Sequence, residues 1–167
     1  MHVHVLGLVL VFALFCLAGV FVWWHYRSRK VFFENLVAFC DHLLIEISFQ
    51  KNTIKKIIQT YGDSYGKHFR KILDGYQTLL DEKHDITRER MNDFAWKKLK
   101  KFESTNLADF FYELGRHSSN EEHTKIQSKR VIFDNFRDMC DKSLKREASI
   151  YLKLLILVGI AAVILLL

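Results

Sequence analysis

Histidine is the residue in this chain best suited to metal binding or proton transfer, and there are eight of them. A zinc-binding helix needs two histidines one turn apart with a glutamate between them as base. His117 and His123 have the wrong spacing and straddle a helix start, and His2 and His4 lie in an apolar stretch with no carboxylate nearby. These histidines read as solvated or interfacial. Gly62-Asp-Ser-Tyr-Gly66-Lys67 resembles a phosphate loop on the surface. It has three spacer residues where four are needed, and His68 stands where a Ser or Thr would hold Mg²⁺. No Gly-x-Ser-x-Gly elbow occurs. None of Cys16, Cys40 and Cys140 has an activating neighbour. An odd cysteine count without close spacing is no disulfide framework, and Cys40 and Cys140 fit apolar helix faces as small hydrophobes. Carboxylates alternate with Lys and Arg as on solvated helix faces. The pattern predicts no catalytic residue, no metal site and no cofactor, so the chain is not expected to be an enzyme.

The elements that would position any site are dominated by the two ends. Residues 3–24 are almost wholly apolar, and so are residues 150–167. The first run would reach roughly 33 Å as a helix, enough for a hydrocarbon core of about 30 Å. Trp23 and Trp24 follow as an aromatic belt, with Arg27 and Arg29 just beyond. A cleaved signal peptide would need a basic start and a small-residue cleavage site, and Met-His-Val-His and Trp-Trp-His-Tyr-Arg supply neither. In the second run the uninterrupted part from Leu154 reaches only about 21 Å. Including Ile150 and Tyr151 lengthens it, with Lys153 snorkelling to the interface. The rival for this run is a buried core helix or a half-inserted tail.

Of the 25 Lys and Arg and the 19 Asp and Glu, all but Lys153 lie between Arg27 and Ser149. Basic residues flank both apolar runs on the side of this middle segment: Arg27, Arg29 and Lys30, then Lys142, Lys145 and Arg146. That bias places residues 27–149 on the cytoplasmic side of a two-pass protein. The absence of Asp and Glu from both runs argues against a proton or ion path. A basic balance also suits nucleic acid, but no finger spacing, RNA-recognition signature or basic stripe with interleaved aromatics is present. Contact with lipid is the simpler expectation.

The middle segment has no proline in a chain that has none at all, and its apolar residues recur at helical spacing. A helix is expected from about Lys30 to Gln50, continuous with the first run or after a short break, with Phe32, Phe33, Leu36, Val37, Cys40, Leu43, Leu44 and Ile47 inward. Asn52 or Thr53 should open a second around Ile54, Ile57 and Ile58. The clearest turn is Gly62–Gly66. A third helix carries Phe69, Ile72, Leu73, Tyr76, Leu79 and Leu80. After a polar turn at Lys83–Asp85, Thr87 should cap a fourth with Met91, Phe94, Ala95 and Leu99 inward. A fifth spans about Asn106–Leu114 and ends at Gly115 as a left-handed cap. Ser118 or Ser119, each three residues before a Glu, starts a helix expected to run uninterrupted to Leu167. The fold class is all-α: a helical bundle at 27–149 flanked by transmembrane helices at 3–24 and 150–167.

With these elements in place, the chain resembles the stage III sporulation protein AB family of endospore-forming bacteria. That family is similar to the inner-membrane platform protein, the F component, of type II secretion and type IV pilus systems. The resemblance runs through Leu6-Gly7 and Gly19, Tyr26-Arg27-Ser28-Arg29, Leu44-Ile45-Glu46-Ile47, Leu114-Gly115, Tyr151, Gly159 and the closing Val163-Ile164-Leu165-Leu166-Leu167. The chain departs from the family pattern in three places. Asn52-Thr53-Ile54 stands for Thr-Pro-Leu, Ser118 for an acid, and Leu155 for a glycine of the second anchor.

The resemblance implies a subunit of the channel, or feeding-tube, apparatus between mother cell and forespore, in the mother-cell-derived outer forespore membrane. By analogy with the secretion platform, its partners would be a cytoplasmic ATPase encoded in the same operon, other membrane components and possible further copies of itself. The expected role is therefore a noncatalytic membrane platform. Candidate partner contacts are Glu46, Asn52 and Arg116; candidate membrane-interface anchors are Trp23, Trp24, Arg27, Arg29 and Lys153. The rivals are a membrane-tethered hydrolase, which would need clustered acid/base or metal-binding groups in three dimensions, and a nucleic-acid-binding membrane protein, whose binding should weaken steeply with salt.

Overall fold

The structure is a computed structural model that describes residues 2–49, 53–81, 87–93, 99–116 and 118–166. Every regular element among them is helical, and none is a strand. The fold class is all-α, as the periodicity requires. The helices are α1 (His2–Phe49), α2 (Ile54–Tyr61), α3 (Lys67–Asp81), α4 (Arg88–Asp93), α5 (Lys101–Glu113), α6 (Ser119–Ser143) and α7 (Ser149–Leu166). A 3₁₀ turn, Gly62–Ser64, follows α2, and a π-helical turn, Leu144–Ala148, joins α6 to α7. The chain divides into two compact units, Val31–Arg137, and Met1–Lys30 with Asp138–Leu167. The division falls inside 27–149, so residues 27–30 and 138–149 group with the ends.

Between the two alternatives for the first helix, continuity is what occurs. No proline interrupts α1, and Ser28 satisfies its hydroxyl on the His25 carbonyl one turn back, at 2.8 Å.

The middle unit is built around the second half of α1, where Phe32, Phe33, Leu36, Phe39, Cys40 and Leu43 are at most 1 % exposed. Phe39 explains the breadth of this arc. Its ring lies 5.8 Å from Phe69 on α3 and 6.4 and 6.3 Å from Phe110 and Phe111 on α5. Phe110 continues to Phe133 on α6 at 5.3 Å, and Phe136 returns to Phe33 at 5.4 Å. Most of these pairs are edge-to-face, the arrangement favoured by the ring quadrupoles.

Local chemistry sets the helix ends. Thr53 caps α2, its Oγ1 accepting the Lys56 N–H at 3.4 Å, and Ile57 and Ile58 are buried. The Arg70 guanidinium crosses the turn after α2 against Gly62, so any Cβ there would have to displace this flexible side-chain end. Arg70 is held in place by Asp63 and Asp74, both at 2.7 Å. α5 starts five residues before the expected Asn106, since Glu103 Oε2 accepts the Lys100 N–H at 2.8 Å and satisfies an orphan donor there. It ends as expected: Gly115 has φ +80°.

Two expectations are changed. The helix from Ser119 onward is not uniform, because Leu144–Ala148 forms a π-helical turn whose last residue, Ala148, is fully buried. Such a turn adds a residue to the ladder and rotates the faces beyond it, which no local residue pattern announces. Leu99 lies in a bend before α5, outside α4. Asn52, Lys83–Asp85, Phe94 and Ala95 lie outside the described residues.

Candidate functional site

A group of polar side chains in the middle unit sits where α1 meets the α2–α3 turn. His42 and Glu46, one turn apart on α1, face Tyr61 and Tyr65. The Tyr61 hydroxyl donates to Glu46 Oε1 at 2.7 Å. The His42 ring stacks on Tyr61 with centroids 4.2 Å apart and planes 17° apart. His42 Nδ1 and the Tyr65 hydroxyl share a hydrogen bond at 2.6 Å. Bonding to Glu46 raises the Tyr61 hydroxyl above its ordinary value, and burial does the same for Tyr65. Both remain protonated donors near neutral pH, so the cluster ties α1 to the turn and has no ionised nucleophile to offer.

A second buried carboxylate works the same way. Glu122 is 6 % exposed, and its Oε1 accepts the Gly115 N–H at 2.8 Å, closing the turn between α5 and α6. Ser119 and Glu122 have the spacing of a capping box, but the carboxylate is spent on the left-handed turn. Beside it lies a cavity of about 10 Å³ lined by Phe110, Leu114, Ile126, Glu113, Lys125 and Lys129. That volume is about one water molecule's worth and admits no substrate.

The cysteines are all free thiols. Burial pushes the Cys40 thiol far up, which keeps it neutral and unreactive. Among the described residues no three His, Cys, Asp or Glu side chains come together as a metal site would require.

The proposed partner contacts fall in different environments. Glu46 is 3 % exposed and bonded to Tyr61, so its carboxylate faces the protein interior. Asn52 lies outside the described residues. Arg116 is exposed, its guanidinium 4.1 Å from the Tyr112 ring. Position in a helical repeat could not separate these fates, because Glu46 is drawn inward by Tyr61, a residue of another helix.

The interface candidates all belong to the terminal unit. Trp23, Trp24, Arg27 and Lys153 are exposed, with the Arg27 guanidinium 4.9 Å from the Trp23 ring. Arg29 is largely buried at 9 % exposure. Among the described residues, no helix is long and apolar enough to cross a membrane. Sequence reasoning missed Asp141, which joins Lys30 at 2.7 Å and Lys145 at 2.6 Å. The Asp141–Lys145 spacing was a usable helical signal; the pairing with Lys30 was not.

Fold and side chains together define an all-helical protein whose buried polar groups serve to join helices. Its relatives are identified by the whole length of the chain. It belongs to the stage III sporulation protein AB family, whose model matches residues 4–167, and its role lies in sporulation. No curated protein and no solved structure matches it.

Proposed function

We propose that the chain is a noncatalytic membrane platform subunit of a secretion-like channel complex needed for endospore formation. Two helical anchors, 3–24 and 150–167, hold it in the outer forespore membrane with the helical middle on the cytoplasmic side. The middle offers a docking face to a secretion-type ATPase and other membrane components, so force or a conformational change passes from the ATPase to those components. This reading extends family membership by analogy with secretion platforms.

The observation that carries it is the surface of the terminal unit. Leu10, Leu14, Leu17, Val20 and Phe21 on α1, and Ile150, Leu154, Leu157, Ile160 and Ile164 on α7, are each between 48 and 70 % exposed. Leaving such side chains in water forfeits roughly 25 cal/mol for every Å² of apolar surface, whereas lipid removes that penalty. Residues 3, 5, 6, 8, 9, 11 and 12, with 163 and 165–167, are apolar in the sequence and complete both runs.

Carbonate extraction of the full chain tests the anchoring, and release into the soluble fraction would overturn it. A reporter inserted at Gly62–Gly66 should be active only on the cytoplasmic side. Crosslinking from the middle unit in sporulating cells should capture the ATPase or a membrane component of the same operon. Failure to capture either would overturn the platform role and leave the anchoring intact.

A further inference from the structure

Four exposed cations of the terminal unit lie at one height along its helices. Contacts between α1 and the α6–α7 stretch set that height. Lys30 meets Asp141 at 2.7 Å. Four residues earlier on α1, the Tyr26 hydroxyl is hydrogen-bonded to Glu147. Earlier still, Gly19 lies against Leu152, whose Cδ1 would be 2.9 Å from a Cβ at that position. The two stretches therefore run antiparallel, and Arg27 falls level with residues 144–147. Arg27, Lys142, Lys145 and Arg146 are all exposed there.

The anions at this level are already engaged. Asp141 is shared by Lys30 and Lys145. Glu147 takes the Tyr26 hydroxyl and that of Ser143, the latter at 3.3 Å. Among the described residues no ion pair falls on Arg27, Lys142 or Arg146. Toward the chain ends, the next exposed side chains are Trp24 and Trp23 on α1 and Ile150, Tyr151 and Lys153 on α7, and beyond them the exposed described side chains are apolar, among them Phe21, Val20, Leu17, Leu154 and Leu157. On α1 this order of cation, aromatic and apolar side chains matches the order of phosphate, headgroup interface and acyl chain in a bilayer leaflet.

We propose that this collar binds the phosphates of anionic phospholipids and gives the chain a preference for negatively charged bilayers. The proposal rests on the membrane reading above and adds a lipid selectivity that anchoring alone does not require. A Lys or Arg near an anionic surface changes local affinity by roughly fivefold, and salt screens the effect. The collar is therefore expected to favour an anionic over a zwitterionic lipid by about three- to tenfold at low ionic strength.

The full chain would be reconstituted in vesicles mixing phosphatidylcholine and phosphatidylglycerol, with one or the other brominated, and quenching of its tryptophans followed. Trp23 and Trp24 report from beside the collar, and the Trp96 background is common to all samples. The K142Q/R146Q variant leaves the Arg27–Trp23 contact in place. Brominated phosphatidylglycerol should quench the wild type more than brominated phosphatidylcholine, and the double variant or 0.5 M salt should remove most of the difference. Lipid retained through detergent purification, measured as the ratio of the two headgroups, gives a second reading that should agree. Equal quenching by both lipids, or an undiminished preference in K142Q/R146Q, would overturn the proposal while leaving the anchoring intact. No quenching by either lipid would overturn the membrane reading itself.

Discussion

Arg130 grips Asp41 with two nitrogens, Nε on one carboxylate oxygen and Nη2 on the other at 3.3 Å, joining α6 to α1 across 89 residues of sequence. The forked geometry suits guanidinium and cannot be matched by an ammonium. Asp41 raises the Arg130 value further by accepting these bonds. Both side chains are more than a third exposed, so solvent screens the pair, and a coupling of about 0.5–1 kcal/mol is expected. A double-mutant cycle of R130Q and D41N, measured by denaturant unfolding in detergent, should return that value, and R130K should behave almost like R130Q. Coupling near zero would reduce the bridge to a passive surface contact.

Gly115 at φ +80° lies against Ile54 at the start of α2, and a Cβ there would be 2.6 Å from Ile54 Cδ1. G115A should lose about 1–2 kcal/mol from the left-handed backbone alone. The contact adds little, since the obstructing atom is the end of a side chain that can rotate. I54V in the G115A background should therefore recover only a small part of the loss. Full recovery would show that crowding, and not backbone conformation, selects glycine here.

Phe39 is fully buried and joins rings of α3 and α5. F39A should destabilise the middle unit by about 3–5 kcal/mol, and F39L by clearly less, because leucine fills much of the volume. Thermal unfolding of the two variants checks the order. A loss under 1 kcal/mol for F39A would mean that the aromatic core closes readily over the gap.

Lys145 first and Lys30 second hold the Asp141 carboxyl at about 2, well below the usual carboxylate range. A folded value below the unfolded one gives stabilisation that is complete above about pH 4 and is lost as pH falls through about 2. D141N should flatten that acid dependence. Carboxyl-carbon NMR on the full chain should place the Asp141 titration below those of the other aspartates; an ordinary midpoint would argue against the double pairing.

Tyr61 gives the opposite sign. Its hydrogen bond to Glu46 raises its folded value above the ordinary tyrosine value, so its stabilisation is present below about pH 10 and is lost as pH rises through the folded value. Y61F should remove one of the steps that lie above the ordinary tyrosine range from the tyrosinate absorbance titration, and should weaken the alkaline dependence of unfolding. An unchanged profile would place the Tyr61 hydroxyl in solvent.

Much of the helical layout was legible because its signals are local. Thr53 before Ile54, the apolar spacing from Phe69 to Leu79 and the glycine at 115 each act within a turn or two of chain. The start of α5 was missed because Lys100 offers no usual capping side chain, and Glu103 supplies the acceptor from inside the helix. The π turn was missed because a single added residue leaves the apolar spacing nearly intact. In the candidate site, Arg27 and the tryptophans were legible from composition. The Lys30–Asp141 pairing was not, since it depends on the antiparallel register of segments more than a hundred residues apart.

From its residues alone, then, this protein declares an all-helical class, two apolar ends, a charged middle and kinship to a sporulation family, because helical periodicity and the order of motifs are written along the chain. The tertiary structure decided which charges face inward. Glu46 and Glu122 have no special neighbours in sequence, yet both are buried because Tyr61 and the Gly115 N–H come to meet them. Burial of a carboxylate is tolerable only where a donor from elsewhere in the fold arrives at hydrogen-bond distance, and that arrival is a property of packing.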